Sequence, residues 1–163
     1  MKKFALVVND KSCWGCKTCE VACQQEFDFS DGVKLIWVVE EKTKVVDGKL
    51  DFAFHVNVCK HCDDPACVEG CPEEAIAKRE DGIVVLEYEK CTGCQACIEV
   101  CPYGAIAFDA ENNRVKKCNL CHHRVEKGLI PACADNVCLA HCIHFGNADE
   151  INQLIADFKS GDP

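Results

Sequence analysis

Short β-rich segments alternate with cysteine-containing segments along this chain. Residues 4–8 predict a first strand, and residues 33–39 and 50–58, which contain no cysteine, predict the two arms of a ribbon that turns at Asp47-Gly48. Apolar and polar residues alternate along the second arm, so that one face carries Leu50, Phe52, Phe54, Val56 and Val58. We interpret residues 31–58 as an inserted β-ribbon.

The apolar face of this ribbon has two interpretations. It acts either as a lid over a neighbouring cysteine site, which we favour, or as a docking surface for a partner protein. Trp37, on the first arm, is the side chain that would anchor such a partner, because exposed tryptophan is favoured at interfaces.

Further hairpins are predicted in the second half of the chain. Residues 75–80 and 83–88 flank a turn at Asp81-Gly82, and Asn112-Asn113 marks another polar turn. A helix is expected near the end, where Asn147 and Glu150 have the spacing of a capping box. Its apolar stripe, which we expect to pack on the core with partner binding as the alternative, consists of Ala148, Ile151, Leu154, Ile155 and Phe158.

The composition then points to metal binding. Seventeen cysteines in 163 residues are far more than an ordinary globular chain contains, so the chain holds disulfides or metal. Because its opening residues lack a secretory signal, we expect a cytoplasmic protein with reduced thiols, and therefore metal. No apolar run is long enough for a membrane span. The 18 basic and 27 acidic residues give a formal charge of -9, which argues against nucleic-acid binding.

The cysteines form four runs of similar spacing. Run three is Cys91-x2-Cys94-x2-Cys97-x3-Cys101-Pro102, the bacterial ferredoxin pattern, in which the first three thiolates bind one 4Fe-4S cluster and the fourth binds another. The other runs are run one (Cys13, Cys16, Cys19, Cys23), run two (Cys59, Cys62, Cys67, Cys71) and run four (Cys118, Cys121, Cys133, then Cys138 or Cys142). In run one Gln24 stands where proline is usual, but proline there only stops a helix. A unit of strand, cysteine loop, short helix and strand thus recurs four times, and we expect an α+β fold.

Two longer motifs carry a resemblance to a known family. They are Cys59-Lys-His-Cys62-Asp-Asp-Pro-Ala-Cys67-Val-Glu-Gly-Cys71-Pro72, and Lys117-Cys-Asn-Leu-Cys121 followed by Pro131-Ala-Cys133. With them the chain resembles the dimethyl-sulfoxide-reductase beta subunits, four-cluster iron-sulfur electron-transfer subunits that accompany molybdenum or tungsten pterin oxidoreductases. Its small size is similar to that of the corresponding subunits of tungsten aldehyde oxidoreductase and tungsten benzoyl-CoA reductase complexes.

The resemblance implies four 4Fe-4S clusters in two interleaved ferredoxin-like units, with the ribbon and the terminal helix added. Residues 1–30 plus 112–163 would combine runs one and four, and residues 59–111 would combine runs two and three. The implied ligand sets are Cys13, Cys16, Cys19 and Cys138 (site I), Cys59, Cys62, Cys67 and Cys101 (site II), Cys91, Cys94, Cys97 and Cys71 (site III), and Cys118, Cys121, Cys133 and Cys23 (site IV).

The last ligand of run four has two candidates. Counting back from Phe145-Gly146-Asn147 selects Cys138, with one residue inserted after Cys133, and leaves Cys142 as a buried, unpaired cysteine. The family's Cys-x3-Cys spacing instead selects Cys138 and Cys142 and leaves Cys133 spare. We favour the first assignment because Pro131-Ala-Cys133 is in place, and we keep Cys142 as the substitute ligand.

Several other residues lie beside the runs. The cations either raise a local cluster potential or are simply solvated: Lys60, Lys90, Lys116, Lys117 and Arg124. The histidines either donate hydrogen bonds to sulfur or are solvated, with replacement of a ligand as a minor alternative: His61, His122 and His123. Gly15 and Gly93 are expected to leave room where the backbone approaches a cluster.

The predicted chemistry is electron transfer. A closed 4Fe-4S cluster has no free coordination position, so we predict no catalytic site in this chain. It would relay single electrons between a large catalytic subunit and another redox partner, such as a flavin- or quinone-linked subunit, and copies could also stack on one another. The alternatives are a free polyferredoxin shuttle, a zinc-binding module, and a hydro-lyase that uses an open iron corner.

Overall fold

The fold is a series of two-stranded antiparallel sheets joined by cysteine loops. The computed structural model describes residues 3–29, 32–134 and 136–160. The strands are β1 (Phe4–Val8), β2 (Ile36–Glu40), β3 (Lys44–Val46), β4 (Lys49–Asp51), β5 (Phe54–Val58), β6 (Ile76–Lys78), β7 (Val84–Leu86), β8 (Ile106–Asp109), β9 (Arg114–Lys117) and β10 (Ile143–Asn147). The helices are α1 (Thr18–Phe27), α2 (Ala66–Glu69), α3 (Ala96–Glu99), α4 (His122–Val125) and α5 (Ala148–Ser160).

Two features of the chain bear on its boundaries. The expected border between the first unit and the ribbon, at residues 30 and 31, lies outside the described residues. In the part of the chain that the structure describes, no helix combines the length and the apolar character needed to cross a membrane.

The first and last strands of the chain form one sheet. Strands β1 and β10 pair antiparallel, with Leu6 opposite Phe145. Helix α5 packs against this sheet, where the rings of Phe158 and His144 lie 5.4 Å apart. Its first turn is capped as the sequence predicts, because Glu150 accepts the backbone N–H of Asn147 at 3.3 Å. The terminal helix therefore lies on the sheet formed by the two ends of the chain.

Helix α1 is longer than the helices that follow the other ferredoxin-like loops. It spans ten residues, whereas α2 and α3 span four residues each and end before Cys71-Pro72 and Cys101-Pro102. Because Gln24 can donate a backbone N–H where proline cannot, α1 continues beyond Cys23. The missing proline changes the length of the helix while Cys23 stays buried.

The ribbon consists of two separate sheets. Strands β2 and β5 pair at its base, where Val38 and Val56 are buried, and β3 and β4 pair at its tip, where every residue is exposed. The favoured interpretation of the apolar face as a lid therefore does not extend to Leu50 and Phe52, which are 64% and 54% exposed. The pattern of alternation is the same in both sheets, but only the base has a core to pack against.

The base of the ribbon lies over the run-one loop. Asp10 accepts the backbone N–H of Val56 at 2.9 Å and contacts Nδ1 of His55 at 2.6 Å. The ring of Phe54 lies so close to Gly15 that a Cβ atom there would be 2.4 Å away from it. The ribbon therefore covers this cysteine loop with its base and leaves its tip free of the core.

Asp10 offers a test of this attachment. Replacing Asp10 with alanine leaves the N–H of the buried Val56 without its acceptor, so we expect the base of the ribbon to lose about 1 kcal/mol of local stability. Amide hydrogen exchange along β5 measures this as faster exchange. Asp51→Ala, on the exposed strand β4, is the matched control. Equal acceleration of β5 exchange in both variants would contradict the role of Asp10.

The exposed tryptophan is not the one that the sequence suggested. Trp37 is half-buried, whereas Trp14, inside run one, is 67% exposed. Trp37 belongs to β2, whose strand packs on the core, so strand position outweighs residue type here.

Buried residues form two cores. One contains Ile36, Val56 and Ile143 with buried cysteines of runs one and four, namely Cys19, Cys23, Cys133, Cys138 and Cys142. The other contains Ile76, Val84 and Val115 with the buried Cys91 and Cys97 and the partly buried Cys67, Cys71 and Cys101. Cysteines of runs one and four thus pack in one core, and those of runs two and three pack in the other.

Candidate metal centres

All four cysteine loops share one backbone feature. The residue before the second cysteine has a positive φ in each loop: 68° at Gly15, 46° at His61, 77° at Gly93 and 51° at Leu120. A left-handed residue tightens the loop, which lets the cysteines on either side of it face the same space.

Glycine is required in two of these loops for a reason outside the loop itself. A Cβ atom at Gly15 would be 2.4 Å from the ring of Phe54, and one at Gly93 would be 2.4 Å from the carbonyl oxygen of Asn113. His61 and Leu120 carry side chains at the same φ. The glycines were expected to make room for a cluster, but the space beside them is taken by the ribbon and by the β8–β9 turn.

Runs two and three exchange their last cysteines. Cys59, Cys62, Cys67 and Cys101 line one cavity. Cys91, Cys94, Cys97 and Cys71 line another. Each cavity thus brings four sulfurs together, three from one run and the last from the other.

Runs one and four meet in the same manner. Cys23 lines a third cavity together with Cys118, Cys121 and Cys133. At the remaining site, burial raises the pKa of Cys19 to about 12, and the neighbouring Cys138 and Cys13 add to this shift. The backbone of Leu139 makes a small contribution to the lowered pKa of Cys16, which places the loop after Cys138 near run one.

Cys138 has the local geometry of the fourth cysteines in runs two and three. In all three, the backbone N–H four residues later donates to the cysteine sulfur: Ala75 to Cys71 at 3.3 Å, Ala105 to Cys101 at 3.4 Å, and Cys142 to Cys138 at 3.4 Å. The residue before that donor has a positive φ each time, at Glu74, Gly104 and His141. Cys142 therefore occupies the position of a buried alanine, with its sulfur 3.4 Å from that of Cys138.

Run four departs from the predicted repeat. The expected short helix is absent from the described residues between Cys133 and Cys142, and α4 instead begins directly after Cys121. Arg124 at the end of α4 donates to the carbonyl of Ile130 at 3.0 Å and to Glu26 at 2.8 Å. These bonds hold the connection that leads to Cys133.

Of the three histidines beside the runs, His61 and His123 hydrogen-bond to the protein, whereas Nδ1 of His122 lies 3.6 Å from Glu126. His123 contacts Glu26 at 2.7 Å, and Nδ1 of His61 accepts the backbone N–H of Val84 at 3.0 Å. Burial lowers the pKa of His61 to about 2, so its ring is neutral and carries its hydrogen on Nε2. His123 and Arg124 are thus structural, and His61 is fixed with one buried N–H directed away from Val84.

Burial raises the pKa of seven of the sixteen candidate ligands. It raises the pKa of Cys97 to about 11 and that of Cys118 to about 12. Cys16 differs, because the Thr18 hydroxyl donates to its sulfur at 3.1 Å and lowers its pKa. Since the thiolate is the form that binds iron, loading these sites releases protons from the buried thiols.

Packing and one lysine order the candidate sites in space. Cys19 of site I packs in one core with Cys23 and Cys133 of site IV. The ammonium group of Lys117 contacts the sulfur of Cys59 in site II and the carbonyl oxygen of Cys118 in site IV. Sites II and III are built from the same two runs. The sites therefore follow one another in the order I, IV, II, III.

Both ends of this row reach the surface. Of the 17 cysteines, all of which the structure describes, only Cys16 of site I and Cys94 of site III are exposed. Trp14 and Leu139, which lie beside Cys16, are 67% and 60% exposed. No cysteine of the two middle sites is exposed, whereas each outer site has one exposed cysteine.

Comparison with known proteins agrees with the presence of cluster sites. Two family models described as 4Fe-4S dicluster domains match residues 50–148 and 12–76. The chain is 36% identical over 158 residues to YnfG of Escherichia coli (strain K12), a probable anaerobic dimethyl sulfoxide reductase component, covering 93% of this chain and 77% of that protein. It is 33% identical over 168 residues to the B subunit of anaerobic dimethyl sulfoxide reductase from the same organism, covering 99% and 82%. It is 35% identical over 161 residues to the B subunit of polysulfide reductase from Wolinella succinogenes, covering 95% and 84%.

Proposed function

Because this chain belongs to the 4Fe-4S dicluster family of reductase iron-sulfur subunits, we propose that it relays single electrons between a catalytic subunit and a second redox partner. It carries four 4Fe-4S clusters and is a non-catalytic component of an oxidoreductase complex. When bound, such clusters take up and release one electron at a time.

The proposed ligand sets are sites I to IV. The three cavities lined by four cysteines each support sites II, III and IV. For site I, the turn shared by Cys71, Cys101 and Cys138 supports Cys138 as the ligand and leaves Cys142 as its buried neighbour. The protein's part is to hold the four sulfurs of each site in place.

The proposed architecture is two interleaved ferredoxin-like units. Residues 1–30 plus 112–163 would form one unit around sites I and IV, with the β1–β10 sheet joining its two parts. Residues 59–111 would form the other unit around sites II and III, and residues 31–58 would be the inserted ribbon. The separation of the buried residues into two cores supports this division.

The observation that carries the proposal is the row of sites with one exposed end at Cys16 and another at Cys94. An electron relay needs one end where electrons enter, another end where they leave, and further sites between the two. The exposed apolar side chains of Trp14 and Leu139 suit a protein partner at the site I end.

The partners follow from the names of the relatives and from the sequence. The relatives are subunits of dimethyl sulfoxide and polysulfide reductases, so we propose a large catalytic subunit, with a molybdenum or tungsten pterin centre, as one partner. A flavin- or quinone-linked subunit, or a stacked second copy, would be the other. We also propose a cytoplasmic location, because cysteines stay reduced there and can bind clusters.

Native purification under anaerobic conditions tests this proposal. We expect the chain to elute with a larger subunit that contains molybdenum or tungsten, and to hold about 16 irons with broad visible absorbance. Elution of the chain alone would instead indicate a free shuttle, and a colourless zinc-containing protein would refute the cluster assignment. Markedly fewer irons after reconstitution would refute the four-cluster relay.

A further inference from the structure

Lys117 is a buried cation at the end of strand β9. Only 7% of its surface is exposed. Its ammonium group donates to the sulfur of Cys59 at 3.4 Å, to the carbonyl oxygen of Val84 at 2.8 Å and to the carbonyl oxygen of Cys118 at 2.9 Å. An ammonium group has three hydrogens, so these partners use all of them and fix its position.

These contacts place the charge between two neighbouring sites. Cys59 belongs to site II and Cys118 belongs to site IV, and these are the two middle sites of the row. Lys117 also lines the cavity of site II. One ammonium group therefore touches a ligand of one middle cluster and the backbone of a ligand of the other.

The partners of Lys117 do not neutralise its charge. Val84 and Cys118 offer it carbonyl oxygens, which carry only partial charges. Burying an ammonium group is costly unless an opposite charge lies nearby. The iron-bound thiolates of sites II and IV supply that charge once the clusters are in place. The negative charge of the iron-bound thiolates in the two middle sites thus explains why Lys117 can be buried.

We propose that Lys117 sets the reduction potentials of both middle clusters, by holding one positive charge against the sulfur of Cys59 in site II and the backbone carbonyl of Cys118 in site IV. This inference rests on the proposed function, since it assumes clusters in sites II and IV. Reduction adds one negative charge to a cluster, and a nearby buried cation stabilises the reduced form more than a solvated one does. Lys117 therefore raises the potentials of the two clusters through which every electron must pass.

A pair of lysine variants tests the role of burial. In Lys117→Met we expect two clusters to be harder to reduce. At a fixed potential, the ratio of oxidised to reduced cluster should rise at least tenfold for each of the two. For a one-electron couple this corresponds to a midpoint potential lower by about 59 mV. Lys60→Met is the matched control: it removes the same charge from a lysine that also lines site II but is exposed, so the shift should be smaller.

The measurement is an EPR-monitored redox titration of the complete, cluster-loaded chain, with iron counted first. The outer clusters are identified as the signals lost in Cys138→Ser and Cys94→Ser, and the shifted signals should be the other two. Unchanged midpoints in Lys117→Met, or an equal shift in an outer cluster, would overturn the proposal.

A second variant keeps the test decisive if methionine at this position costs iron. Lys117→Gln is neutral but retains donors for the carbonyl groups of Val84 and Cys118, and it should show the same downward shift with full iron content. Loss of iron in both variants would overturn the proposal, because Lys117 would then be needed for assembly. The iron content of the unmodified chain tests the proposed relay separately. If that chain holds its full iron, the relay proposal stands even when the Lys117 variants show no shift in potential.

Discussion

Replacing Cys138 with serine is expected to remove the cluster of site I, about 4 of about 16 irons, whereas Cys142→Ala is expected to retain all of them. The two cysteines lie side by side, with their sulfurs 3.4 Å apart, so proximity alone does not separate them. Their backbone environments distinguish the two cysteines. Cys138 accepts the N–H of the residue four positions later, as Cys71 and Cys101 do.

The position of Cys142 explains why its substitution should be tolerated. Ala75 and Ala105 occupy the corresponding positions in runs two and three, and both are buried. Alanine in place of Cys142 therefore recreates a packing arrangement that the chain already contains twice. The cost should not exceed about 1 kcal/mol, since a small buried side chain loses a single atom.

Iron analysis and EPR spectra of both variants, reconstituted anaerobically, distinguish the two cysteines. Signals of sites II, III and IV should persist in Cys138→Ser. The reverse result, with iron lost in Cys142→Ala and retained in Cys138→Ser, would assign Cys142 as the ligand and contradict the argument from the shared turn.

Replacing Gly93 with alanine is expected to destabilise the run-three loop by about 3 kcal/mol and to deplete site III of its cluster. A Cβ atom at this position would lie 2.4 Å from the carbonyl oxygen of Asn113, a backbone atom that cannot rotate away. The positive φ is not the main cost, because His61 and Leu120 adopt it with full side chains.

Gly104→Ala is the control for this prediction. Gly104 also has a positive φ, of 59°, but no atom lies within 4 Å of the position that a Cβ would take. The equivalent residues Glu74 and His141 carry side chains at similar φ. We therefore expect a loss of about 1 kcal/mol and full iron content in this variant.

We would measure iron content and thermal stability for both glycine variants under the same anaerobic conditions. The comparison distinguishes the steric clash with Asn113 from the strain of a positive φ. Loss of iron in Gly104→Ala to the same extent as in Gly93→Ala would mean that positive φ alone dictates glycine. A fully loaded Gly93→Ala protein would show that the β8–β9 turn moves aside at little cost.

Features that depend on a few adjacent residues could be predicted from the sequence. The strand at residues 4–8 and the capping box at Asn147 and Glu150 both have the structure that their residues predict. Proline after the fourth cysteine ends α2 and α3 promptly, and its absence lengthens α1. Each of these outcomes is decided by dihedral preferences and hydrogen bonds within one or two turns of chain.

Features that depend on packing between distant segments could not be predicted from the sequence. The apolar residues Leu50 and Phe52 continue the alternation of β5, yet they are exposed because the ribbon tip extends past the core. Trp14 is exposed and Trp37 is half-buried, although the sequence favoured Trp37 as the exposed one. The need for glycine at Gly93 comes from Asn113, a residue of a different hairpin.

The sequence by itself determined that this chain groups its cysteines into metal-binding loops, because the spacing within a run sets which sulfurs share a loop. Tertiary structure alone decided which side chains surround those loops. The charge of Lys117 reaches Cys59, 58 residues away in the sequence, only because β9 packs beside run two. Local spacing encodes the ligands of a site, whereas the folding of distant segments against one another sets its environment.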